Sequence, residues 1–257
     1  MEIISKSMSS IASSLAKSFA SNVIEKWTRR RAENFFEAFQ NEIMEKRQIG
    51  DDFVHIEQEI EKIISTEIGS EILFDAYRRV SLSKSKHIGP KIIGLLTAEI
   101  CLEKRVANEF EEMIFSFAEN LNDIEMINSV KVLNGWLDEI ENYKIKPSLA
   151  RNSSVYIQND NLIYILERHE LSGNNNSLDI DLNIDNLDGL FCVGMNKFKN
   201  LGFLKERISQ SIYNDDREHD QYSHDQSHQF TTKTLSFPLK YRRILVLVSL
   251  MSRGYEI

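Results

Sequence analysis

Apolar residues return at steps of three and four along most of the first 143 positions, and no other property of the chain constrains its fold as strongly. The sets Phe35, Phe39, Ile43; Phe53, Ile56, Ile60, Ile63; Ile72, Leu73, Ala76, Val80; Ile92, Leu95, Leu96, Ile100; Phe110, Met113, Ile114, Phe117; and Ile124, Ile127, Val130, Leu133, Leu137, Ile140 each trace one stripe of a 3.6-residue helix. Only 10 glycines and 3 prolines occur in 257 residues, which suits helix interiors and is poor for a β-sandwich. Asp51 and Asp52 offer N-caps before Phe53, Ser70 reads as the cap of the next helix after a stop at Gly69, and Pro90 fits a first helical turn. Five or six antiparallel helices joined by short loops make a bundle over residues 1–146, with residues 1–48 a long amphipathic helix or helix pair.

The texture changes at Pro147. Val155-Tyr-Ile and Leu162-Ile-Tyr-Ile-Leu166 flank the turn QNDN and read as a hairpin. Leu187, Leu190, Phe191, Met195, Phe198 and Leu201 return to helical spacing before a turn at Gly202. Strand-like pieces follow at residues 208–213 and 230–237, separated by the polar tract 214–229. Periodicity does not decide between helix and strand for the tail PLKYRRILVLVSLM. Residues 147–257 are therefore expected to form a small α+β domain, and helix, Leu-Gly turn and long-tipped hairpin follow one another in winged-helix order. The fold class is mainly α.

Composition narrows the chemistry. Hydrophobic content of 42% and charged content of 27% are ordinary for a globular chain. No GxGxxG or GxxxxGK[ST] stretch supports a dinucleotide or P-loop site, and no GxSxG elbow offers a serine nucleophile. Cys101 and Cys192 stand in apolar surroundings, where a thiolate is disfavoured. The first residues lack the apolar run of a secretory signal, and no segment approaches the roughly 20 apolar residues that span a bilayer. The expectation is a cytoplasmic protein without cofactor and without enzymatic activity.

Three contact surfaces stand out. The first is YRRVSLSKSKHIGPK, residues 77–91, where Arg78, Arg79, Lys84, Lys86 and Lys91 gather with no acid among them in a chain of formal net charge -8. A helix begins at its end, so free N–H donors and the helix dipole would join the cations in an anion site for nucleic acid or an acidic partner. The opposing expectation is that Arg78 and Arg79 pair with bundle acids such as Asp75 and Glu99. The second is the serine-rich stripe Ile4, Met8, Ile11, Leu15, Phe19, Val23 and Trp27, followed by Arg29, Arg30 and Arg31, which suits docking on the bundle, on a second copy, or on a membrane surface. The third is His219, His224 and His228, whose ligand types suit a metal but whose spacings match no metal-site frame. Lys197, Lys199, Lys205 and Arg207 would line the recognition element of a DNA-binding winged helix, with Glu206 counting against it.

The order of a helical first half, the turn Asn200-Leu-Gly-Phe-Leu204, a polar hairpin and an apolar C-terminus resembles bacterial abortive-infection and prophage proteins of the alpha type. The resemblance is one of layout across the second half and carries no residue role. It implies a part in phage defence played through partners. A scaffold or adaptor subunit, contacting itself, another protein or nucleic acid, is the function expected. A DNA-binding regulator and a membrane-surface effector are the alternatives.

Overall fold

The computed structural model describes residues 25–48, 53–141, 153–172, 193–214 and 227–253. These are mainly helical, with a small antiparallel sheet following the helical first half. They form two compact units that divide between Asp123 and Ile124, with residues from Leu250 on belonging to the first. Among the described residues no helix is long and apolar enough to cross a membrane.

The first unit is a helical bundle of α1 (Glu25–Arg47), α2 (Phe53–Ile64), α3 (Glu67–Leu82), α4 (Ile88–Leu102) and α5 (Glu109–Asn120). Helix α4 is apolar on nearly every side, Lys91 and Glu99 excepted, so it takes the centre, with 12 of its 15 residues buried. Phe35, Phe39 and Ile43 of α1 and Ile114 and Phe117 of α5 are fully buried. Each such side chain contributes about 1.5–3 kcal/mol by leaving water. Helix α1 crosses α4 at Gly94, where a Cβ would overlap the Phe35 carbonyl oxygen and stand 3.2 Å from the Phe39 nitrogen. Only a residue without a side chain lets the two backbones meet there.

Helix α3 starts earlier than Ser70. Thr66 is its cap, accepting from the Gly69 N–H at 3.0 Å. Gly69 is no stop but a close-packed helical residue, since a Cβ there would overlap the Ile63 carbonyl oxygen. Pro90 sits in the first turn of α4 as expected. Helix α5 opens with a capping box, in which Asn108 accepts from Glu111 N and the Glu111 carboxylate accepts from Asn108 N.

The second unit holds most of α6 (Asp123–Glu141), β1 (Ser153–Gln158), β2 (Asn161–Ser172), α7 (Val193–Asn200), β3 (Lys205–Asn214), β4 (Ser227–Pro238), a 3-10 turn at Leu239–Tyr241, and most of α8 (Arg242–Met251). The sheet runs β1-β2-β4-β3, antiparallel throughout. Asn159 and Asp160, at φ 48° and 57°, make the tight turn between β1 and β2; both residue types tolerate that left-handed geometry. Helix α7 ends in a Schellman motif: Phe203 N donates to Phe198 O, Gly202 N donates to Lys199 O, and Gly202 takes φ 83°. The Phe198 and Phe203 rings close the motif with centroids 5.8 Å apart. The Leu-Gly turn and the following hairpin are thus present, and β4 joins that hairpin to the β1–β2 hairpin in one sheet. The undecided tail is helix α8, burying Ile244, Leu245, Leu247 and Val248.

The division between units falls after the first residue of α6, and the texture of the sequence changes at Pro147. Packing gives the reason. Trp136 of α6 stacks on Tyr164 of β2 at 4.9 Å, and Gly194 of α7 lies so close to Ser129 and the Glu125 carbonyl that a Cβ would overlap both.

Replacing Gly94 with Ala should lower stability by about 1–3 kcal/mol, the usual cost of forcing atoms into a filled contact. Gly135, in the exposed middle of α6 with nothing within 4 Å of an added Cβ, supplies the comparison. Gly135→Ala should stabilise by roughly 0.5–1 kcal/mol through helix propensity. Urea unfolding of the two variants beside the parent protein checks both signs.

Candidate functional site

The loop of residues 83–87 joins α3 to α4 and is built around a buried carboxylate. Asp123, only 5% exposed, accepts from Ser85 Oγ at 2.5 Å and from the backbone N–H groups of Lys86 at 3.1 Å, His87 at 3.3 Å and Ile88 at 2.9 Å. The first N–H groups of a helix have no partner within it and attract anions. Here the protein's own aspartate occupies that position. Ser85 Oγ also accepts from Gly89 N at 2.7 Å, and Ser83 Oγ donates to Ala118 O at 2.9 Å. Ser85 is fully buried and its hydroxyl proton is committed to Asp123, so this serine–aspartate pair is a brace and not a nucleophile. Cys101 offers no thiolate either, since burial pushes its pKa up to about 11.

The structure separates the five cations of the loop region. Arg79 turns inward, bonding Asp75 at 2.7 Å, Glu112 at 2.8 Å and Glu119 at 3.2 Å, with its guanidinium 4.9 Å above the Phe115 ring. Burial works against the Asp75 carboxylate, yet hydrogen bonds from Arg78 and Arg79 hold it below its ordinary range. Burial keeps Glu119 above the ordinary range despite Arg79. Arg78 pairs with Asp75 at 2.6 Å, and Lys91 with Glu37 of α1 at 3.2 Å. Glu99 is not a partner of Arg78 or Arg79; Asp75, Glu112 and Glu119 are. Lys84 and Lys86 remain exposed at the tip.

A second basic run converges on the same loop. Arg31 Nε donates to Ser85 O at 3.1 Å, and Asn34 Nδ2 donates to Lys86 O at 2.8 Å. That bond turns the amide nitrogen of Asn34 toward His87 Nδ1, 3.3 Å away, so the ring nitrogen accepts. Burial, then the charge of Arg30, lowers the His87 pKa, with Lys91 and Lys86 adding to it and Asp123 opposing. Arg30 is exposed beside this group. Arg30 and Arg31 thus lie with the loop, while Arg29 pairs with Glu33 on its own helix at 3.3 Å.

The remaining candidates are dispersed. Lys197 is held by Glu125 at 2.5 Å and Lys199 by Glu206 at 2.6 Å, while Glu206 also takes Lys233 at 2.6 Å. Lys205 and Arg207 are exposed on β3. The four residues therefore do not form one cationic face. Ile4, Met8, Ile11, Leu15, Phe19 and Val23 lie outside the described residues, as do His219 and His224; Trp27 is in α1 and His228 in β4. The residue missed by sequence reasoning is Asp123. Its place after Asn122 at a helix start reads as a local cap, and nothing local shows that a loop 36 to 38 residues earlier in the chain closes on it.

No protein-family model matches this chain, and comparison with curated proteins and with solved structures returned no match.

Asp123→Asn replaces an acceptor-only group with one that turns an N–H₂ toward backbone donors. It should cost about 3 kcal/mol, since hydrogen bonds to a charged group are each worth about 1.5–3 kcal/mol. Asp138→Asn, at an exposed position of α6, should stay within about 0.5 kcal/mol of the parent in the same thermal denaturation.

The His87 ring accepts from Asn34 and is surrounded by cations, so its folded pKa lies below the ordinary value near 6.5. The unfolded chain takes up the proton first as pH falls. His87 thus contributes stability that is full above about 6.5 and is lost as pH drops through the depressed folded value. The parent protein should lose more stability between pH 7.5 and pH 5 than His87→Gln does. Urea midpoints across that range check it, and parallel curves would refute it.

Proposed function

We propose that the helical unit is a protein-interaction module, a scaffold or adaptor, whose partner surface is the outer side of α3 together with the loop that follows it. The observation that carries this is a ridge of large apolar side chains turned to solvent. Phe74 is 73% exposed and Leu82 66%, with Tyr77 at 41% beside them. Phe74, Arg78 and Leu82 stand at i, i+4 and i+8, so they form one row on the helix surface. The row runs into Lys84 and Lys86, with Arg30 on the neighbouring helix. Exposed apolar groups in contiguous patches mark interaction sites, and a rim of exposed cations sets the sign of the partner.

That combination suits an acidic, amphipathic protein segment better than a nucleic-acid backbone. Phosphate binding would leave Phe74 and Leu82 in water, and the helix N-terminus that could have gripped a phosphate holds Asp123. The internal pairing of Lys197 and Lys199 weighs in the same direction against the DNA-binding alternative. A setting in phage defence follows from the resemblance of layout to abortive-infection and prophage proteins.

The test is fluorescence anisotropy with three labelled probes: an acidic amphipathic peptide, the same peptide with Lys for every Glu, and a duplex DNA. The acidic peptide should bind. Lys84→Glu with Lys86→Glu should weaken it by about tenfold, and Phe74→Ser with Leu82→Ser by at least as much, because truncating a few anchor residues costs more than 1 kcal/mol each. Equal binding of both peptides would overturn the charge assignment. DNA binding lost on the charge reversal, with neither peptide bound, would transfer the loop to the nucleic-acid reading.

A further inference from the structure

A cavity of the helical unit lies away from the α3 ridge, between the end of α1, α2, the start of α3 and the end of α4, with a volume of about 610 Å³. Pockets for small ligands usually fall between about 300 and 1,000 Å³. Its wall is apolar, made by Ile63, Ile72, Cys101 and Leu102, and Ile68 stands at the mouth 54% exposed.

Its polar groups are unequal in sign. Arg47, Lys62 and Lys104 line it against a single carboxylate, Glu59. Glu59 takes Lys62 at 2.5 Å and Arg47 at 3.5 Å, and hydrogen bonding from Lys62 holds its carboxyl below the ordinary range. One carboxylate shared by two cations leaves positive charge over, and Lys104 adds more. Lys104 follows the last turn of α4 at φ 52°, and its ammonium makes no ion pair among the described residues. In a chain of net charge -8, a cationic mouth over an apolar wall is a local inversion of the surface.

We infer that this cavity binds a small amphipathic anion, an aliphatic body carrying a single carboxylate or phosphate head. The aliphatic part covers Ile72, Leu102 and the Cys101 side chain, and the head takes the ammonium of Lys104 with the charge left over on Lys62 and Arg47. A nucleotide fits less well, since no Phe, Tyr or Trp lines the cavity to stack a base, His55 being its one ring. A small polar anion would leave the apolar wall wet. A fatty carboxylate and an alkyl phosphate share the required chemistry, and both are probes.

Isothermal titration of the full chain with decanoate, decyl phosphate and decanol tests the assignment. Both anions should bind, and decanol should bind at least tenfold more weakly. Lys104→Asn removes the charge with a residue type that tolerates left-handed backbone, so it should weaken decanoate about tenfold while leaving the thermal midpoint of the free protein in place. Ile72→Trp fills the cavity and should abolish binding; where that variant does not fold, the Lys104→Asn comparison decides alone. A preference for decyl phosphate over decanoate would name the head group and sustain the inference. Decanol binding as tightly as decanoate, no binding by either anion, or decanoate binding indifferent to Lys104→Asn would each overturn it.

Discussion

The carboxylate of Asp123 seated on the opening turn of α4 is the interaction on which the first unit is organised. Helix α4 fills the centre of the bundle, so its amino end cannot be satisfied by water and must find an acceptor within the protein. Asp123 supplies one acceptor group for three backbone donors and the Ser85 hydroxyl. With that end fixed, the loop before it is fixed as well: Ser83 bonds the end of α5, and Arg31 and Asn34 of α1 reach the Ser85 and Lys86 carbonyls. Four helices are tied together at one corner of the bundle by groups that would each be costly to bury alone. A negative side chain does there what an external phosphate does in a helix-terminal anion site.

The same corner shows how an acidic chain spends its cations. The acid-free stretch from Tyr77 to Lys91 is acid-free only along the sequence. In space Asp75, Glu112, Glu119, Glu37 and Asp123 come to it from four helices. Arg79, 15% exposed and ringed by three carboxylates, belongs to the fold, because burying a guanidinium is tolerable only with its charge matched. Lys84, Lys86 and Arg30 stand exposed to solvent. Ranking cations by what already holds them separates structural from available charge more sharply than counting them does.

The helices were legible because their apolar stripes are long and local, and the β1–β2 hairpin because QNDN permits only a tight turn. Errors arose where a distant contact decides a local feature. Gly69 reads as a stop, yet the close approach of the Ile63 carbonyl is what requires glycine there, and Thr66 takes the cap. The tie of α6 to the sheet is hidden because Trp136 stacks on Tyr164, which follows it across a stretch of unlike composition. The tail was ambiguous because a short apolar run suits a buried helix or a buried strand equally. Of the candidate sites, the cations could be named from sequence but not their partners, and the cavity near Lys104 could not be read at all, since its walls come from four separate segments.

Helix α3 carries both proposed surfaces, the cavity at its first turns and the apolar ridge along its second half. Coupling between two sites needs an element with two arrangements whose balance both sites bias. Helix α3 has the opposite character. Its start is pinned by the Thr66 cap and the tight seat of Gly69, its middle by Arg79 reaching to α5, and its end by the Ser83 hydroxyl on Ala118. An amphipathic anion in the cavity meets Ile68 and Ile72 on a helix that has no slack to pass on. Occupancy should therefore stabilise the bundle by simple mass action and leave partner affinity at the ridge unchanged. The two surfaces are then separate functions of one rigid rod.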